Sequence, residues 1–340
     1  MNKIRRLLDE EFVFDYLSKK LLPIYSDFEK IKKIKIIQHK DNIWHGAYHV
    51  VFEFKISFSG KDKKVRTLPI FCSAHSDEPR KNVYDSLSFL WNNDFDKGYL
   101  SIPYPLFFSK YFNATFYRGV SGHNLYYYIR NKEFEVIEDV VVKFAKWLVK
   151  LHNIKTKKNF NPINSRVKTV YPGIEHILKR IKKDYPKYGQ IYKKIYGIIN
   201  NNEKVFLNSV KDRWLIHGDA HPENVIKMSL KKIGVIDFTD LCLSDFARDL
   251  GSFTQQLDYM MMRKINNQKY ADKVKKIFLD NYFINSKEKN TKEVQARIKN
   301  YYNWTAMRTI TFFLIKSGPE PQRAAPLIGE VMKNIGIVKK

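Results

Sequence analysis

The sequence predicts an α+β chain in two parts, a small antiparallel sheet with its helices followed by a larger, mostly helical region. Three runs rich in β-branched and aromatic residues, 34–40, 47–58 and 65–73, are separated by the turn-forming segments DNIWHG and SGKDKK. From about residue 123 onward apolar residues recur instead at helical spacing. One stretch breaks that rhythm, where the short apolar runs WLI (214–216) and IGVI (233–236) each lead directly into polar residues.

Taken in order, Ile4, Leu7, Leu8, Phe12, Phe14, Leu17 and Leu21 predict an N-terminal helix that Pro23 ends. The three strands follow. Pro79 stands where a helix begins, and Val83, Leu87 and Leu90 continue its apolar face toward Trp91. PLFFSKYFNATFYRGVSG (105–122) holds two further strand-like runs, after which NLYYYIR and VIEDVVVKFAKWLVKLHNI are helical. The boundary is expected near 118–123, with residues 1–120 as the first lobe and 121–340 as the second. The polar segment 157–172, with Pro162 and Pro172, reads as a surface loop. Helices are expected at 173–184, 188–211, 244–263, 268–284, 291–315 and 320–336, with Asp240 and Cys242 left in a loop.

With 340 residues and 44% hydrophobic content, the chain is long enough for two cores and too apolar to be disordered. No run reaches the ~20 uncharged apolar residues of a membrane span, and nothing near Met1 has a signal-peptide pattern, so a soluble, cytoplasmic protein without a membrane partner is expected. Cys72 and Cys242 are the only cysteines; they cannot form a disulfide framework or a paired zinc site and read as buried packing residues. A net charge of +26 would favour nucleic acid if the charge were clustered. The lysines are scattered through nearly every segment and no nucleic-acid motif accompanies them, so no such partner is expected.

The chemistry concentrates in HGDAHPEN, His217 to Asn224. An apolar strand delivers the carboxylate of Asp219 into a loop with Gly218 for close backbone approach and Pro222 for rigidity, and the amide of Asn224 follows five residues later. A second strand then presents Asp237. Each aspartate alone would read as a turn former. Together, two carboxylates and an amide oxygen suit a hard cation such as Mg²⁺, which takes oxygen ligands and leaves room for phosphate and water. Phosphoryl transfer requires that arrangement plus one carboxylate to orient the attacking hydroxyl and accept its proton. His217, Asp219 and His221 would also suit a metallohydrolase, although imidazole fits zinc better than magnesium and His221 reads as structural.

HGDAHPEN followed by IDF resembles the aminoglycoside phosphotransferase and choline kinase family, distant relatives of protein kinases. FYRGVSGHNL (116–125) is similar to that family's hinge, and AKWLVKLHNI (145–154) to its helix ending in Leu-His. The resemblance implies a bilobal protein-kinase-like fold with a nucleotide-binding first lobe, ATP and Mg²⁺ as cofactors, and a small hydroxyl-bearing molecule (sugar, amino-alcohol or aminoglycoside-like) as phosphate acceptor. It implies Asp219 as catalytic base, Asn224 and Asp237 as Mg²⁺ ligands, His217 and Gly218 as shapers of the loop, and Asp249 as a brace behind it. The family's lysine inside the third strand is missing from VRTLPIFCSAH. Lys64, Arg66, Arg80 and Lys81 are the candidates to replace it on the nucleotide phosphates, with Asp85 as an acidic partner. WHGA (44–47) occupies the phosphate-loop position with a single glycine. That departure keeps a nucleotide-binding scaffold or sensor as the alternative function. Trp304 and Arg308, one helical turn apart, are candidates to face the acceptor.

Overall fold

The computed structural model describes residues 2–78, 80–170 and 172–337, so Pro79, expected at the start of a helix, lies outside the described residues. The chain divides into two compact units, one of residues 1–122 with 226–239, the other of 123–225 with 240–340.

In the first unit the expected N-terminal helix is broken. A 3₁₀ turn over Lys3–Leu8 precedes helix α1 (Glu10–Leu21), because Asp9 adopts an extended conformation and its side chain accepts the amide of Phe12. Such a cap contributes about 1 kcal/mol to the helix that it starts. Strands β1 (Phe28–Ile43), β2 (Tyr48–Gly60) and β3 (Val65–His75) form an antiparallel meander, with β1 far longer than the apolar run that predicted it. Pairing explains the difference, since the lysine-rich start of β1 is recruited by the apolar β2, Ile34 lying opposite Ile56 and Ile36 opposite Phe54. Helix α2 (Lys81–Leu90), the two-residue β4 (Leu100–Ser101), β5 (Tyr104–Ser109) and β6 (Ala114–Arg118) complete the run, and the sheet order is β1-β2-β3-β6-β5.

Alternation along β2 puts Val50, Phe52, Phe54, Ile56 and Phe58, all fully buried, on one face. Val13, Leu17 and Leu21 of α1 cover that face, and Cys72 and Phe116 extend the same core across the sheet. His49, Val51 and Glu53 point to the other face. A one-residue slip of β2 would reverse both sets, so the register is strongly specified.

The second unit opens with β7 (His123–Asn124), α3 (Leu125–Asn131) and α4 (Phe134–His152). Two 3₁₀ turns, Pro162–Ser165 and Val167–Thr169, sit in the polar segment expected to be a loop. Helices α5 (Ile174–Asp184) and α6 (Pro186–Ser209) follow, the second starting on a proline whose missing N–H costs nothing at that position. Then come β8 (Trp214–Ile216), β9 (Val225–Lys227), β10 (Ile233–Val235) and β11 (Cys242–Ser244). Of these, β10 pairs in parallel with β4 inside the first unit.

Residues 242–244, expected as loop and helix start, are strand instead. Cys242 lies opposite Ile216 and Ser244 opposite Trp214, and the helix begins only at Ala247. Cys242 and Cys72 are both fully buried, and burial pushes both thiols up, so neither is a ready thiolate. Helices α7 (Ala247–Lys264), α8 (Gln268–Asn285), α9 (Lys292–Ile315) and α10 (Pro321–Asn334) finish the unit. The backbones of α7 and α9 approach closely at Gly251, where a Cβ would come within 2.5 Å of the Ile298 carbonyl oxygen. No helix among the described residues is long and apolar enough to cross a membrane.

Candidate active site

The loop 217–224 is held from behind. Strand β8 carries the chain through buried Leu215 and Ile216 into His217, and Asp249, in the first turn of α7, lies beneath it with no solvent exposure. One Asp249 oxygen accepts the His217 amide at 2.7 Å, and the other accepts the Gly218 amide at 2.9 Å. His152, at the end of α4, lies 3.1 Å from the same carboxylate through Nε2, and its Nδ1 is 2.8 Å from the Tyr282 hydroxyl. Burial alone would raise the Asp249 carboxyl. The His152 hydrogen bond, the neighbouring imidazoles of His152 and His217 and the Gly218 amide outweigh it and hold the group below its ordinary range. Gly218 itself sits at φ +83°, and a Cβ there would meet the Asp240 carbonyl oxygen at 2.3 Å.

This bracing makes a stability prediction. Asn in place of Asp249 has one acceptor oxygen for two amides, so one buried N–H is left unpaired at a cost of about 1–3 kcal/mol. Asp249→Asn is expected to lower the urea midpoint at pH 7. Because the folded carboxyl is depressed, its contribution is present above about pH 4 and is lost as pH falls toward the folded value. The gap between wild type and Asp249→Asn should therefore narrow below about pH 4. A gap that stays constant down to pH 2.5 would contradict the charged brace.

At the front of the loop, Asp219 is partly exposed, its side chain at 33%. His221 Nε2 lies 3.5 Å from one carboxylate oxygen, and Arg308 of α9 lies 3.5 Å from the other. Burial works to raise this carboxyl too, but the His221 hydrogen bond, the Arg308 charge and the imidazoles of His221 and His217 prevail and keep it ionised. Trp304, one turn before Arg308, is buried against Tyr196 rather than turned toward Asp219. Asn224, nearly buried, donates through Nδ2 to the Asp219 carbonyl oxygen at 3.0 Å. That bond uses the nitrogen of the amide and leaves its oxygen as the end that can meet a cation. Asp219 also opens onto a cavity of about 510 Å³ lined by α7, α9 and the start of α10.

Asp237 belongs to the first unit, just past β10. Its backbone is left-handed, φ +64°, a conformation that costs a residue with a Cβ of order 1 kcal/mol and that aspartate tolerates better than most. Its Oδ1 accepts the Thr239 hydroxyl at 2.8 Å, and the residue is exposed. Asp237 acts electrostatically on Lys40 of β1 and on His49 of β2, and Arg80, just before α2, lies against the same His49. His49 Nε2 lies 3.2 Å from Lys40 Nζ and 3.3 Å from Arg80 Nη2. Burial first, then the charges of Lys40, Arg80 and His75, push His49 down to about 4 against the opposing pull of Asp237. A neutral imidazole thus separates two cations. Burial and Arg80 also lower the Lys40 ammonium. Arg80 is 6% exposed, and its Nε is buried without a hydrogen-bond partner among the described residues, so this guanidinium is short of one acceptor there.

The other sequence candidates are placed differently. Arg66 stands at the hairpin end of β3, doubly hydrogen bonded to Asp62, and Lys64 is exposed in the turn. From Arg66 to His75, which packs on His49, is 75 − 66 = 9 residues of strand, roughly 30 Å at 3.3 Å each. Lys81 and Asp85 pair with each other across one turn of α2, at 2.7 Å. The turn at 44–47 closes through a Trp44 amide to Ala47 carbonyl bond of 2.8 Å. Lys40 and His49 carried no sequence signal, one being a lysine in a lysine-rich strand and the other half of an ordinary strand alternation.

No group of three or more His, Cys, Asp or Glu side chains able to hold a metal by itself occurs among the described residues. His217 is wholly buried and receives the Asp219 amide on Nδ1 at 3.4 Å, and His217, Asp219 and His221 do not make such a group. An amide oxygen, the donor type of Asn224, and a carboxylate, that of Asp237, are each of the kind a hard cation takes beside phosphate and water.

No curated protein matches the chain by sequence. Among solved structures, choline kinase from Cryptosporidium parvum is similar at 13% identity and a TM-score of 0.61, over 96% of this chain and 95% of that one. Amicoumacin kinase in complex with AMP-PNP and Ca²⁺ is similar at 12% identity and 0.58, over 94% and 95%. ADP-bound aminoglycoside phosphotransferase APH(2'')-Ib is similar at 14% identity and 0.51, over 95% and 96%. These likenesses establish the kinase-like fold. Residues 73–266, more than half of the chain, match the phosphotransferase enzyme family, and the chain belongs to that family.

Proposed function

We propose that the protein transfers the γ-phosphate of ATP to a hydroxyl group of a small molecule, with Asp219 as base, Asn224 and Asp237 as magnesium ligands, and Arg80 with Lys40 on the nucleotide phosphates. The observation that carries this reading is the Asp219 carboxylate: kept ionised by His221 and Arg308, fixed in a loop whose amides are tied to Asp249, and opening onto a cavity of small-molecule size. The nucleotide complexes of amicoumacin kinase and APH(2'')-Ib, one of them with a divalent cation, support ATP and a metal.

Magnesium, when bound, neutralises phosphate oxygens as charge shifts during transfer. Asp219 orients the acceptor hydroxyl and takes its proton while the acceptor oxygen bonds to phosphorus and the bond from phosphorus to the ADP oxygen breaks. A carboxylate held below its ordinary range is a weak base but is ionised at every working pH, and positioning is the larger demand of this reaction. His217 and Gly218 fix the loop from which Asp219 projects. Arg80, with its unused Nε, and Lys40 supply the positive charge that a strand lysine gives elsewhere in the family.

The test is incubation of purified protein with ATP and Mg²⁺ against a library of hydroxyl compounds, reading ADP and phosphorylated product together. Acceptor-dependent product is the expected result. Tight nucleotide binding without transfer to any acceptor would instead favour a scaffold or sensor. A second expectation concerns the metal: Asp237→Ala should weaken calorimetric binding of Mg²⁺–ATP at least ~10-fold and abolish the metal dependence of ATP binding. Equal affinities with and without Mg²⁺ in both proteins would remove Asp237 from the site.

A further inference from the structure

The cavity in front of Asp219 lies wholly within the second unit, and its charged lining is lopsided. Arg263 comes from the last turn of α7, Arg308 from α9 and Arg323 from α10, against Asp219 and Glu223 as the lining carboxylates among the described residues. Arg323 is committed, bonded to Glu320 at 3.0 Å and to the Tyr259 hydroxyl at 2.6 Å. Among the described residues Arg308 is ion-paired only with Asp219, at the long distance of 3.5 Å, and its side chain is 42% exposed. Arg263 has no carboxylate within ion-pair distance among the described residues.

The aromatic residues of the same cavity are also spoken for. Arg263 lies over Tyr259 at 5.5 Å, Arg323 over Phe313 at 4.1 Å, and Lys316 over Phe312 at 5.2 Å. An ammonium-bearing acceptor is held by carboxylates or by open aromatic faces. Here each of the three rings already carries a protein cation, so such an acceptor would meet repulsion at the rings as well as at Arg263 and Arg308. An oxyanion meets the reverse: two guanidinium groups with donors to spare, able to bind it bidentately, in a protein whose net charge of +26 steers anions inward. Ser252, Gln256, Thr305 and Thr309 supply hydroxyl and amide groups for the rest of a polyhydroxy molecule.

We infer that the phosphate acceptor is a hydroxyl compound bearing an anionic oxyacid group, a carboxylate or a phosphate ester, and that Arg308 and Arg263 bind that group. The inference rests on the reading of Asp219 as the base beside which the acceptor lies. In this arrangement Arg308 exchanges its loose contact with Asp219 for the acceptor's anion, which frees the carboxylate to take the hydroxyl proton.

The experiment measures binding first, so that it does not depend on turnover. With the nucleotide site filled by AMP-PNP and Mg²⁺, gluconate, glucose 6-phosphate, glucose and choline are titrated calorimetrically into wild type, Arg308→Met and Arg263→Met. Binding of gluconate or glucose 6-phosphate in preference to glucose and choline is expected, and which of the two binds distinguishes carboxylate from phosphate ester. Each arginine variant should weaken that binding ~10- to 100-fold, with AMP-PNP affinity unchanged. Choline or glucose binding as tightly as both anions, or anion binding that survives both substitutions, overturns the inference. The same four compounds are then offered with ATP and Mg²⁺. Phosphorylation of choline or glucose alone overturns the anionic acceptor while sparing the phosphotransferase reading. Anion binding lost in the arginine variants, but with no phosphate transferred to any compound in this set or in the wider library, upholds the arginine site and counts against Asp219 as base.

Discussion

Asp219→Asn is expected to reduce phosphate transfer ~10²- to 10⁴-fold while leaving ATP affinity unchanged, a loss of about 3–5 kcal/mol of transition-state stabilisation. The asparagine keeps the size of the side chain and one acceptor oxygen, but removes the charge that His221 and Arg308 now hold in place. An amide cannot accept the proton that the acceptor hydroxyl must lose. Nucleotide binding should hold because the proposed phosphate contacts, Arg80 and Lys40, are on other elements. Steady-state ADP and product formation with an identified acceptor, beside calorimetric titration of ATP, separates the two effects. Wild-type turnover in Asp219→Asn would sink the base assignment. A parallel loss of ATP affinity would make Asp219 a metal ligand instead.

The next largest effect is expected at Arg80. Its guanidinium is 6% exposed, contacts His49 and Glu78, and retains one N–H without a partner among the described residues. A buried cation in that state gains most from a phosphate oxygen, and truncating one partner of such a pair typically costs about 2–5 kcal/mol. Arg80→Met should therefore weaken ATP binding by roughly 30-fold or more, and Lys40→Met should weaken it less, because that ammonium is already partly relieved by Asp237. Arg66→Met and Lys81→Met should leave it within about twofold, since these side chains are tied to Asp62 and Asp85. Thermal unfolding of each variant guards against a folding defect at the buried position. Equal, small losses across the four would mean that no single cation is dedicated to the phosphates.

The strengths and failures of sequence reading have the same physical origin. HGDAHPEN is contiguous, so the residues that shape the loop and present Asp219 and Asn224 are neighbours in the chain, and their spacing is visible before folding. Asp249 was named as a brace through the family resemblance of SDFARDL, since its place near a helix start alone would equally suit the helix dipole. The helices α4 to α10 showed themselves by period because each buries one stripe against its neighbours. Strand pairing is another matter. Residues 242–244 are too short to show alternation and become strand only because Ile216, Leu215 and Trp214 stand opposite them. The lysine-rich first half of β1 is extended for the same reason.

From the sequence alone came the α+β architecture, the kinase-like family and the loop on which Asp219 sits, since local period and a contiguous motif encode all three. Tertiary structure alone decided which cations are buried or paired far along the chain. With 61 lysines and arginines in 340 residues, no pattern of spacing distinguishes Lys40 and Arg80 from Lys64 and Arg66, or Arg263 and Arg308 from the basic residues around them. The distinction lies in desolvation and in long-range pairing: Arg66 and Lys81 neutralise an acid a few residues away, whereas Arg80 is buried beside a neutral imidazole from strand β2 and Arg308 reaches Asp219 from 89 positions along the chain (308 − 219). A charge that finds its partner locally is spent there. One that is buried or held without a full complement of acceptors keeps its capacity for a ligand, and only the folded chain determines which charges are left in that state.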